Sequence, residues 1–173
     1  MTFVELLELL RATRNETLAH FELNATALSR TYGPGKWNVH RILHHVADAE
    51  VVLCQRMSRV ISGETSVKGF DQDAWCVALD YDHEPLHLRK AVYAAVRELN
   101  IHLIKKHVEK EGHRTFVHSA YGERTLKQEM EKVALHNRKH LDQIAAALEG
   151  KLVALQQREI HKAFRLPATG RRC

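Results

Sequence analysis

An all-α fold is predicted, a four-helix bundle with one long crossover between its second and third helices, and three observations predict it. Glycine and proline are scarce, eight and three in 173 residues, while Leu, Ala, Glu, Lys and Arg abound, which favours helix. Four long stretches repeat apolar residues at the period of an amphipathic helix. Turn-forming residues cluster between those stretches.

The first stretch, residues 2–30, reads as one long helix. Phe3, Leu6, Leu7, Leu10, Leu18, Phe21, Ala25 and Leu28 fall within about 120° of one another on a helical wheel. Thr2 and Glu5 have capping-box spacing. Arg14 and Thr17 share the stripe, and the arginine is expected to reach out to the bundle edge. Tyr32-Gly33-Pro34-Gly35 stops the helix.

A second helix follows Trp37, with Asn38 as its N-cap. Its stripe is Val39, Ile42, Leu43, Val46, Ala49, Leu53, Met57 and Val60. On the wheel His44 falls about 170° from the stripe centre and His45 about 90°. His44 is therefore expected to face water, and His45 to border the interior. Glu50 lies about 50° from the centre, where a carboxylate is costly unless it is paired or in a wet cavity.

Residues 63–84 form a connection long for a compact bundle. Phe70, Asp71, Asp73 and Trp75 are expected to build a short helix or lid there, or to anchor the crossover. The third helix runs over residues 85–110, with Leu88, Val92, Ala95, Val96, Leu99 and Leu103 as its inner face. Residues 111–124 read as turn-rich. Thr125, with Gln128 three residues on, caps a fourth helix that ends at Gly150. Its stripe is Leu126, Met130, Val133, Asn137, Leu141, Ile144 and Leu148. His140 and His136 lie on one flank of it, about 70° and 110° from the centre. The domain reading is a bundle over residues 1–150 and an extension, 151–173, with a short helix and a tail.

Composition narrows the function classes. Hydrophobic residues at 45% and charged residues at 27% describe an ordinary soluble domain. Glu5 and Glu8 interrupt the N-terminal apolar run, which argues against a signal peptide. No uncharged run approaches the roughly 20 residues of a membrane span. The three cysteines, Cys54, Cys76 and Cys173, are far apart and read as reduced thiols, so a cytoplasmic location is expected. The net charge is +5 and the isoelectric point is near 9.2. Basic residues nonetheless alternate with acidic ones, without the aromatic interleaving of single-strand binders, and no nucleic-acid partner is expected.

His136 and His140 lie one helical turn apart on a single face. With His45 from the facing helix they could hold one first-row metal, leaving a position open to water or substrate. Zn, Ni, Fe and Mn all suit such a set. Three unrelated boundary histidines would give the same pattern, and periodicity alone does not decide between these readings.

Two signatures add to this. Trp37-Asn38-Val39 with His45-Val46-Ala47-Asp48-Ala49-Glu50, and His136-x-x-x-His140-Leu141-x-Gln143-Ile144, resemble the two motifs of the DinB superfamily. The segment Gly69-Phe70-Asp71-Gln72-Asp73-Ala74-Trp75 is similar to one found in many members. The likeness covers residues 5–150. It implies a DinB/YfiT-like four-helix bundle with His45, His136 and His140 as metal ligands, and homodimers are a family-level expectation. Asn137 stands where this branch often has Asp. Relatives include bacillithiol S-transferases, mycothiol-dependent maleylpyruvate isomerase and proteins described as metal-dependent hydrolases.

The expected activity is that of a hydrolase or thiol S-transferase in which one divalent transition metal activates water or a low-molecular-weight thiol against a small-molecule electrophile. Glu50 is the candidate general base. The alternative is a non-catalytic metal- or ligand-binding bundle with a sensing, stress-response or scaffold role.

Overall fold

Three of the four long helices begin where a side chain caps them, and the fourth follows a proline, in a computed structural model that describes residues 1–150. α1 (Phe3–His20) starts at Thr2, whose hydroxyl accepts from the Glu5 amide while the Glu5 carboxylate accepts from the Thr2 amide. α3 (Val39–Ile61) follows Asn38 and α5 (Leu86–Glu111) follows Pro85. α6 (Leu126–Glu149) has a second capping box, Thr125 with Gln128, and ends at Gly150, whose φ of 67° is a left-handed C-terminal cap. α3 packs along α5 and α6, and α1 lies against the same two helices. The predicted four-helix bundle is present. The C-terminal extension lies outside the described residues.

The first stretch is not one helix. α1 stops at His20, and a separate turn, α2 (Ala25–Leu28), begins at Asn24, whose side chain accepts from the Ala27 amide. An asparagine offers this alternative to the helix ladder wherever the chain can turn.

The crossover contains a two-residue strand, β1 (Ser66–Val67), and a short helix, α4 (Gln72–Ala78), capped by the Asp71 carboxylate. Residues 111–124, expected as turns, instead give a hairpin of β2 (Thr115–His118) and β3 (Gly122–Thr125). The sheet order is β1-β2-β3, with Val67 opposite His118 in parallel and Phe116 opposite Arg124 in antiparallel register. Alternation turns Phe116 and His118 inward.

Two apolar clusters form the core. One gathers Leu6, Leu10, Met57, Ile104 and Met130; the other gathers Val39, Ile42, Leu43, Tyr93 and Ile144. Truncating a core leucine such as Leu10 to alanine costs about 2–5 kcal/mol. A polar layer interrupts the apolar run on all four long helices: Thr13 and Thr17 on α1, Glu50 on α3, Arg97 and Asn100 on α5, and Asn137 on α6, every one of them buried.

That layer overturns the expected inner face of the third helix. Tyr93, Arg97, Asn100, Ile101, Ile104 and Val108 are the buried side of α5, while Leu88, Val92 and Leu99 are exposed. Hydrophobicity pointed to the wrong side because polar residues occupy the interior one. His44 is a second correction. It is fully buried, because the crossover folds back over the outer side of α3 and stacks Tyr81 on the imidazole at 5.1 Å. The Tyr81 hydroxyl donates to Asp48 at 2.5 Å, and Arg89 pairs with the same carboxylate.

Candidate metal centre

His45 projects from α3, and His136 and His140 project from α6, onto one point. Nε2 of His136 lies 3.2 Å from Nε2 of His45 and 3.1 Å from Nε2 of His140. The three candidate ligand atoms all lie within 4.8 Å of one another. Nitrogens bound tetrahedrally at about 2.0–2.1 Å would stand about 3.3 Å apart. The donor set therefore fits one transition metal.

Protonation is arranged for the same task. The Gln143 amide oxygen lies 2.7 Å from Nδ1 of His140 and accepts a hydrogen bond from its N–H, so Nε2 turns a lone pair to the cluster. Burial, above all, holds all three imidazoles below their ordinary pKa, with neighbouring positive charge adding to the effect. His140 is lowered to about 4, and His45 and His136 are well below the usual range. Neutral imidazole is the ligating form.

Aromatic side chains wall the cluster. Trp37 meets His45 edge-on at 5.3 Å, and Phe70 stacks on the same ring at 5.9 Å. Trp75 packs against Phe70 at 5.0 Å, so the crossover does cover the site. The histidines open on a cavity of about 420 Å³, with Asp73 on its wall. Asp71 caps α4 instead.

Glu50 belongs elsewhere. It is 2% exposed, and Arg97 holds both its oxygens, through Nε at 3.0 Å and through an Nη2 contact. Asn100 donates to it at 2.8 Å. Of the two environments that make an interior carboxylate tolerable, an ion pair or a wet cavity, Glu50 has the first.

Residues not anticipated from the sequence complete the cavity: Arg56, His118, Tyr121, Lys132 and Lys139. The alternating Thr115-Phe116-Val117-His118 was the available signal for His118. Lys132, four residues before His136, was the other.

A helical bundle that gathers three buried imidazoles over a cavity has an architecture that can hold a metal ion. The chain belongs to the DinB superfamily, whose family model matches residues 9–144. It is 30% identical over 127 residues, 73% of each chain, to a "putative metal-dependent hydrolase" of Oceanobacillus iheyensis. A second protein so named in that organism is 26% identical over 148 residues, 85% of this chain and 84% of its own. YfiT from Bacillus subtilis, described as "a probable metal-dependent hydrolase with an unusual four-helix bundle topology", shares the fold. Its TM-score is 0.78 at 18% identity, over 86% of each chain. No helix among the described residues is long and apolar enough to cross a membrane.

Proposed function

We propose that this chain is a metal-dependent enzyme of hydrolase type that acts on a small-molecule electrophile in the cavity beside His45, His136 and His140. The observation that carries the proposal is the convergence of three Nε2 atoms, two of the separations being 3.1 and 3.2 Å. A divalent Zn, Ni, Fe or Mn ion held there would lower the pKa of water or of a thiol and polarise the substrate.

The chain's own residues prepare the rest. Gln143 fixes the His140 ring and tautomer. Trp37 and Phe70 keep water from the flank of His45, and a drier site strengthens electrostatic interactions within it. Glu50 keeps Arg97 neutralised inside the bundle and is not assigned a proton-transfer role. The relatives' names favour water as the nucleophile, with a low-molecular-weight thiol as the second choice. Free thiols at Cys54 and Cys76 support a cytoplasmic location. The exposed Leu88, Val92 and Leu99 of α5 support pairing into a homodimer.

The test is a turnover screen over ester and amide substrates and over thiol–electrophile pairs, with chelator and with metal restored. Turnover lost to chelator and regained with one of the four metals supports the enzyme. Activity indifferent to chelator contradicts the metal dependence, and none across both panels favours the non-catalytic binder.

A further inference from the structure

His118 carries a buried donor that no group among the described residues accepts. Its ring is 1% exposed, yet it reaches the wall of the cavity. Nδ1 accepts from the Ala120 amide at 3.1 Å, which leaves the proton on Nε2. That Nε2 is buried without a hydrogen-bond partner among the described residues. An orphaned donor of this kind is costly to bury, and a ligand acceptor would recover the lost hydrogen bond.

The surroundings state which acceptor. Lys36, Arg56, Lys132 and Lys139 line the cavity against one carboxylate, Asp73. Arg56 is committed to Glu129 and to the Lys68 carbonyl. Lys132 is half-buried, with Nζ above the Tyr121 ring at 4.6 Å. Among the described residues no carboxylate comes within ion-pair distance of it. Tyr121 also packs on His118, centroid to centroid at 4.6 Å, so one aromatic ring contacts both donors. Burial and the positive charge of Arg56 and Lys132 keep His118 neutral, at about 4.

We propose that Lys132 and His118 form an anchoring subsite for a carboxylate on the substrate. The ammonium supplies the single compensating charge and the imidazole N–H the second hydrogen bond, one donor for each carboxylate oxygen. Lys132 precedes His136 by four residues, about 6 Å along the helix. An anchored carboxylate thus stands a few bonds from the histidine cluster, and the reacting carbon belongs between them. The substrate class is a small carboxylate-bearing electrophile. This rests on reading the cavity as the substrate site.

The test is NMR titration of the full-length chain, as purified, with butyrate, butyramide and inorganic phosphate. Wild type, Lys132→Met, Lys132→Arg, His118→Phe and His136→Ala are compared. Butyrate should bind wild type and shift the His118 ring signals, and butyramide should not bind. Lys132→Met should weaken butyrate at least about tenfold, with Lys132→Arg restoring most of it. His118→Phe should weaken it several-fold, and His136→Ala should leave it nearly unchanged. Equal binding to Lys132→Met and wild type overturns the subsite, as does butyramide matching butyrate. Loss confined to His136→Ala also overturns it while leaving the metal centre standing. Phosphate binding tenfold tighter than butyrate overturns the carboxylate assignment.

Discussion

Two groups of interior polar side chains sit side by side on α3 and α6, and they are built on opposite terms. Glu50 and Asn137 enter the first; His45 and His136 enter the second. In the first, Arg97 donates to Glu50, to Asn137 at 3.0 Å and to Thr13 at 3.0 Å. Tyr93 and Thr17 also hydrogen-bond to Asn137. In the second, three imidazole nitrogens face one another, and Nδ1 of His45 and Nε2 of His118 have no partner among the described residues. A network whose donors are all matched, leaving among the described residues one acceptor over, Asn100 Oδ1, holds the bundle in register. An open one, beside a cavity, awaits a ligand. The difference separates a carboxylate held in an ion pair from histidines free to take a ligand.

The largest effect should come from breaking the first network. Arg97→Met leaves Glu50 buried without its counter-charge, and such losses cost about 3–5 kcal/mol. Urea denaturation should find the loss, with metal binding retained in whatever fraction stays folded. Next in size is Gln143→Ala, which removes the acceptor that orients His140. Metal affinity should fall about 10–100-fold with little change in the unfolding midpoint of the metal-free chain, read by titration with a competing chelator.

Acid should separate the clusters further. Burial lowers His44 and His118 from 6.5 to about 4. The unfolded chain therefore takes up protons that the native chain refuses within that window. Stability is full above pH 6.5 and declines as pH falls toward 4. His44→Gln should make the decline shallower in thermal melts. The smallest effect belongs to the crossover: Asp71→Ala removes the α4 cap and should cost about 1 kcal/mol, seen as faster amide exchange in α4.

The long helices and the histidine pair were legible because both obey the helical period. His45 was legible for the same reason, lying at the margin of a strong stripe. The wheel failed for His44 because it describes one helix and not the crossover laid over it. It failed for α5 because the interior there is polar, so apolar Leu88, Val92 and Leu99 marked the outside. Strands of two to four residues are too short for a periodic signal, and His118 was missed with them. The cost of an interior carboxylate flagged Glu50 correctly as exceptional, but the partner that explains it lies 47 residues away on another helix.

If His45, His136 and His140 act together as a metal site, removing either histidine of the α6 pair should empty it. Metal content should be measured on protein purified without a histidine tag, for wild type and for His136→Ala and His140→Ala. About one transition metal is expected per wild-type chain, and close to none in either variant. Variants that hold as much metal as wild type would contradict the shared site.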